Sequence, residues 1–264
     1  PVWSGIAIAA VALVLVLVLT GGSSTPGNLA DIVAGLAVVA AVVIFALLLT
    51  SSKVDADERS RVIAFIPLFI GVAAFFALFQ QQFTVITLYS DTRLDRDLLG
   101  WTMPISWVQS FNPPFFIIIL APVFAALWTK LGRRNPGTPV KFSLGIMLIG
   151  LAFVLFLPMA AVDSVPVLWI ALIMLVATLG ELSLSPVGLS LASKLAPKAY
   201  PVLMMALFYL ATALGTALSG SLAQFYSAEN EVAYFGGLGA VTIVIGLVML
   251  AIAKPIGRAM RGVR

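Results

Sequence analysis

The chain is built from long apolar runs separated by short polar interruptions. Eight runs, roughly 3–20, 29–51, 61–89, 103–130, 140–160, 165–193, 200–226 and 232–254, stand out. Each approaches or exceeds the roughly 20 helical residues that cross a hydrocarbon core of about 30 Å. Turn-forming residues divide them: Gly21 to Gly27, Ser51 to Arg59, Ser90 to Gly100, Gly132 to Pro139, Pro158 to Pro166, Leu195 to Pro201 and Ser227 to Glu231. None of the runs alternates with period two, and only a closed barrel would satisfy strand backbones in lipid. The pattern therefore predicts an all-α membrane protein with eight transmembrane helices.

Composition narrows the class. Of the 264 residues, 61% are hydrophobic and 10% charged, against about 45–50% and 25% in soluble domains. A water-soluble globule could not cover that much apolar surface, and a disordered chain would carry far less of it. Cysteine and histidine are both absent. This removes disulfides, thiolate chemistry, the commonest general base and the commonest metal ligand. No nucleophile–base pair or metal cluster is evident, so neither an enzyme nor a cofactor is expected.

The net charge of +4 resolves into a topology. With the Ser51–Arg61 junction on the cytoplasmic side, Lys53, Arg59, Arg61, Lys130, Arg133, Arg134, Lys141, Lys194, Lys198, Lys254, Arg258, Arg261 and Arg264 all fall there, 13 of the 15 basic residues. Only Arg93 and Arg96 fall on the other face. This positive-inside bias predicts cytoplasmic termini. It also accounts for the basic excess without nucleic acid. No basic segment precedes the first run, which argues against a secretory signal peptide.

Polar residues inside the spans carry the candidate chemistry. Glu181, near the middle of the sixth span, is the one acid or base expected deep in the bilayer. There a carboxylate costs about 2.5 kcal/mol or more, so it needs a wet cavity, a partner or a proton. A structural carboxyl bonded between helices and a ligand or proton site are both open readings. Pro186 follows within Ser183-Leu184-Ser185-Pro186-Val187-Gly188 and predicts a bend, static or hinged. Gln80-Gln81-Gln82 interrupts the third span, either to bond a neighbouring helix or to line a path. Asn112-Pro113-Pro114 predicts a kinked or unwound fourth span. Ala211, Gly215 and Ser219 recur every fourth residue and read as a helix-packing stripe.

These segments resemble the proton-dependent oligopeptide transporter (POT, or PTR) family of the major facilitator superfamily. Gly180-Glu181-Leu182-Ser183-Leu184-Ser185-Pro186-Val187-Gly188-Leu189-Ser190, with Lys194-Leu195-Ala196-Pro197, is similar to the signature of the family's tenth bundle helix. Gln109-Ser110-Phe111-Asn112-Pro113 with Pro122 and Trp128 resembles the eighth, Phe75 to Gln81 the seventh, and Met204-Met205 leading to Gly215 the eleventh. The resemblance covers 61–256. It implies a two-helix linker hairpin at 1–52, a C-terminal six-helix major-facilitator half-bundle at 61–256 and a basic cytoplasmic tail at 257–264. Pro1 then reads as the edge of a fragment or split product, with the N-terminal six-helix half missing.

The implied function is proton-coupled symport of di- and tripeptides by alternating access in the bacterial inner membrane. The implied substrate residues are Glu181, meeting the peptide α-amino group, with Asn112, Gln80, Phe208 and Ser185. Pro186, Gly188 and Pro113 would serve the gate. Two departures matter. The family often has Glu at the position of Gln80, and Gln cannot titrate. It often has Trp where this chain has Phe208, which keeps the apolar wall and loses the indole donor. Rival expectations are the same fold carrying another anionic or zwitterionic solute, and a non-transporting membrane scaffold.

Overall fold

The computed structural model describes residues 26–98, 100–110 and 115–263. The first expected span, together with Asn112 and Pro113, lies outside the described residues. Ten α-helices are assigned among those described: α1 (Pro26–Thr50), α2 (Ala56–Phe79), α3 (Val85–Arg93), α4 (Ser106–Ser110), α5 (Ile118–Leu131), α6 (Thr138–Val154), α7 (Val167–Leu195), α8 (Pro201–Ala223), α9 (Glu231–Ala251) and α10 (Ala253–Ala259). Six helical segments are long and apolar enough to cross a membrane, and Phe115–Leu131 is a shorter apolar helix. Together they cover seven of the eight expected spans. Strands are limited to two-residue ladders in the connections: β1 (Leu94–Asp95) parallel to β4 (Val165–Pro166), and β2 (Asp97–Leu98) antiparallel to β3 (Trp101–Thr102).

Two boundaries differ from expectation for physical reasons. The third span begins at Ala56 rather than near 61, because Asp55 and Glu58 form a reciprocal capping box around the first turn. The charged residues expected in the loop therefore sit in the helix itself. Further along, Gln80–Phe83 is a 3-10 turn between α2 and α3, not the interior of a regular helix. Side chains take up the carbonyls that the break releases: Thr87 Oγ1 donates to Gln82 O at 2.6 Å, and Thr84 Oγ1 to Gln81 O at 3.4 Å.

Helix α6 packs against α2, α7 and α9, while α8 lies between α2 and α1. Backbones meet where glycines allow it. A Cβ on Gly145 would stand 2.8 Å from the Gly180 carbonyl oxygen, and one on Gly150 would stand 2.9 Å from the Gly239 carbonyl oxygen. The small-residue stripe of α8 performs the packing role expected of it. Ala211 and Ser219 are buried, and a Cβ on Gly215 would lie 2.6 Å from the carbonyl oxygen of Ala73. Small side chains let membrane helices approach this closely.

Helix α1 is peripheral. Val33, Val38, Val39, Val42 and Val43 are exposed, as expected of a lipid-facing helix. Its Asp31 accepts a hydrogen bond from Ser221 of α8, which anchors one end. Helix α5 buries none of its residues.

Candidate functional site

Helix α7 sets the site. Glu181 is the middle residue of its 29 and is half-buried. Gly180, one position earlier, occupies the crossing of α6 and α7, with Phe75 of α2 3.2 Å from where its Cβ would be. The glycine crossing thus fixes the backbone immediately beside the carboxylate. Ser185 and Gly188 stand four and seven residues after Glu181, so all three share one helix face. Ser185 Oγ is buried and has no hydrogen-bond partner among the described residues. Ser183 turns back to the Leu179 carbonyl at 2.8 Å. The helix runs unbroken through Pro186, which is exposed.

Gly188 is where α8 meets this face. A Cβ on Gly188 would stand 2.5 Å from the ring of Phe208, itself only 5% exposed. Phe208 therefore seats in the glycine notch. From it runs a polar stripe on α8: Thr212 Oγ1 donates to the Phe208 carbonyl at 3.2 Å, and Thr216 Oγ1 to the Thr212 carbonyl at 2.9 Å. Gln80 Nε2 donates to Thr216 Oγ1 at 3.2 Å at the end of the stripe. Helices α7 and α8 run antiparallel across a short link. Counting equally from the Gly188–Phe208 contact puts Glu181 at about the level of Gly215 and Thr216, about 10 Å along the axis.

The structure thus joins Gln80, Phe208 and Gly188 through α8, with Glu181 and Ser185 on the adjoining face of α7. Asn112 and Pro113 lie outside the described residues. Gln81 and Gln82 are buried, and Gln81 Nε2 donates to the Ser219 carbonyl at 3.2 Å. Of the glutamine triplet, two members serve packing, and Gln80 alone borders exposed surface.

A second polar cluster escaped the sequence reading. At the end of the bundle assigned to the outside, Arg93 Nη2 donates to the carbonyls of Met159 at 2.9 Å and Val162 at 2.8 Å. The same group lies 3.8 Å from Glu231 Oε2. Glu231 is 6% exposed and opens α9, where a carboxylate suits the helix dipole. Tyr226 Oη donates to Glu231 Oε1 at 3.1 Å. Burial, and then the Glu231 charge, push the Tyr226 phenol well above its ordinary range, so it stays a donor. The cluster ties α3, the α6–α7 connection and the start of α9 together. Glu231→Leu takes the carboxylate from a guanidinium that is three-quarters buried and leaves it only its two carbonyls, and should cost about 2–4 kcal/mol. The paired replacement Arg93→Met/Glu231→Leu should recover part of that. Unfolding midpoints in detergent check both, and equal midpoints for Glu231→Leu and the parent would contradict the assignment.

The chain and its fold have known relatives. The family model described as "POT family" matches residues 24–244. An uncharacterized transporter, YclF, of Bacillus subtilis (strain 168) is 40% identical over 263 residues, covering 98% of this chain and 53% of its own length. A di-/tripeptide transporter of Lactococcus lactis subsp. cremoris is 38% identical over 222 residues, covering 81% of this chain and 44% of its own length. Among solved structures, a peptide transporter POT in complex with sulfate superposes with a TM-score of 0.87 at 41% identity, over 98% of this chain and 53% of that one. A POT family transporter in complex with 5-aminolevulinic acid gives 0.84 at 35% identity, over 97% of this chain and 54% of that one. The chain spans about half the length of the curated relatives it matches.

Proposed function

The chain belongs to the POT family of transporters, and from that premise we propose that it forms the C-terminal half of a proton-coupled di- or tripeptide symporter working by alternating access. The observation that carries the proposal is the half-buried Glu181 carboxylate at the centre of α7, on the face that α8 joins at Gly188. A peptide's α-ammonium is the cation such a carboxylate favours, because charge-assisted hydrogen bonds strengthen away from bulk water. In this reading Gln80, Ser185 and Phe208 belong to the same substrate site, and the family resemblance assigns Asn112 to it as well. Phe208 gives it an apolar wall, and Gln80 holds its amide against Thr216.

Pro186, Gly188 and Pro113 mark where the gate moves. Pro186 removes one backbone hydrogen bond from α7, and the Phe208 ring in the Gly188 notch would couple bending there to α8. An N-terminal six-helix half supplies the facing wall. The exposed α5 and the exposed Thr216 of α8 support a covering partner bundle. Gln80 cannot titrate, so the coupling proton falls to Glu181 or to the facing half. The bundle sits in the bacterial inner membrane with both termini cytoplasmic, which the distribution of basic residues supports.

Reconstituted into proteoliposomes, the whole transporter should concentrate dialanine under an inward proton gradient and lose that accumulation on adding a protonophore. Absence of uptake, with no competition by dialanine, would rule out the peptide reading. A second reading is a smaller zwitterionic solute. It is favoured by the related transporter solved with 5-aminolevulinic acid, and the same assay with that compound as competitor separates the two.

A further inference from the structure

Lys141 is a lysine that the transport reading leaves without a role. It lies in the first turn of α6, only 8% exposed, and its Nζ stands 4.3 Å from the centroid of the Trp128 ring. No carboxylate lies within salt-bridge distance of it among the described residues. A lysine this enclosed gives up part of the hydration of its ammonium, and one aromatic face offsets only part of that.

Lys141 lines a pocket of about 430 Å³ at the end of the bundle assigned to the cytoplasm, on the Lys194 side of Pro186. The other polar lining groups are Lys194, Asn135, Thr138 and Ser190, with no acidic residue among them. The pocket opens on the N-terminus of α6, whose N-cap Gly137 supplies no side-chain cap. Thr138 is shared with a neighbouring pocket lined by Lys254 and Arg258, again without an acid. The basic environment therefore continues around the helix end.

We propose that this pocket binds a phosphate-type oxyanion, either inorganic phosphate or the headgroup phosphate of a membrane lipid. Two ammonium groups converge there with the hydroxyls of Thr138 and Ser190 and the side-chain amide of Asn135, beside the first turn of α6. This donor set suits a tetrahedral anion with several acceptor oxygens. Lysine binds phosphate as a point charge, with the neighbouring hydroxyl and amide groups donating to the remaining oxygens. Placement at the cytoplasmic end also puts the pocket near lipid headgroups, where basic residues gain from anionic lipid. The bound anion would tie the end of α7 to the start of α6, on the side of Pro186 away from Glu181.

The test uses the whole transporter in detergent, following its unfolding midpoint. One arm titrates inorganic phosphate at ionic strength held constant with chloride. The other titrates short-chain phosphatidylglycerol in mixed micelles against short-chain diacylglycerol. The proposal expects a saturable rise with at least one of the two phosphates. A rise with phosphate that competes with phosphatidylglycerol identifies a site open to both, and a rise with phosphatidylglycerol alone identifies a lipid site. Lys141→Gln should weaken the apparent affinity by at least roughly tenfold, and Lys141→Arg should largely restore it. Arg96→Gln, at the opposite end of the bundle, should change nothing. If Lys141→Gln does not fold, Lys194→Gln carries the same comparison. No saturable response to either phosphate, or an unchanged affinity in a folded Lys141→Gln or Lys194→Gln protein, would overturn the proposal.

Discussion

Replacing Glu181 with glutamine should weaken binding of a free dipeptide by roughly 10- to 100-fold, with the bundle still folded. A charge-assisted hydrogen bond contributes about 1.5–3 kcal/mol, which sets that range. The fold should survive, because glutamine is nearly isosteric, shares glutamate's helix propensity and costs less at bilayer depth. Glu181 is half-buried and does not belong to the packed glycine crossing that its neighbour Gly180 forms with Gly145. The loss should therefore appear in affinity and proton-driven uptake, and not in the unfolding midpoint. Equilibrium peptide binding in detergent and thermal unfolding of the same samples separate the two effects. A purely structural carboxyl would give the opposite pattern, a lowered midpoint with unchanged affinity.

The largest effect on stability is expected at Gly215. A Cβ there would lie 2.6 Å from the Ala73 carbonyl oxygen, 2.6 Å from Phe76 Cβ and 3.0 Å from the Ala77 amide nitrogen. Two of those three neighbours are backbone, so no rotamer change relieves the contact. Helices α2 and α8 would have to separate. Separation would also pull apart Gln80 from Thr216 and Gln81 from the Ser219 carbonyl, one turn away. Overpacking of this kind costs about 1–3 kcal/mol for a modest insertion. Gly215→Ala should fall in that range, and Gly215→Leu should fail to give monodisperse protein. Gly237→Ala is the matched control, since nothing lies within 4 Å of a Cβ there. Its midpoint should be unchanged. A Gly215→Leu protein as stable as the parent would mean that α2 and α8 do not meet as described.

Local patterns were readable in the sequence, and long-range pairings were not. Seven of the expected spans appear among the described residues because apolar length is a local property. The stripe of Ala211, Gly215 and Ser219 was readable for the same reason: its spacing of four marks one helix face. Helix α2 starts before its apolar run does, because Asp55 and Glu58 use their charges to cap the helix. The Gln80–Gln82 triplet signalled a polar interruption correctly. Hydropathy cannot tell a 3-10 turn from a continuous helix, so the break itself was missed.

The same limit applies to the candidate site. Glu181 stands out as a lone acid in an apolar run, a signal that needs no partner to be seen. The notch that seats Phe208 against Gly188 depends on two helices meeting at one level, which no local pattern encodes. Arg93 and Glu231 each looked like ordinary loop charges until the fold brought them to 3.8 Å. Lys141 was counted as one more cytoplasmic basic residue, although it is buried against Trp128. Tyr226 carries no local signal of its role, and only the turn before α9 reveals it as a donor to Glu231.

The central claim is that Glu181 recognises the α-ammonium of the substrate. It is tested most directly by the ratio of affinities for dialanine and N-acetyl-dialanine, measured for the parent transporter and for Glu181→Gln. Acetylation removes the ammonium and leaves the rest of the peptide in place. The account predicts a ratio of at least about 10 in the parent, collapsing toward one in the variant, because the carboxylate and the ammonium act as one pair. An equal ratio in both proteins would contradict it.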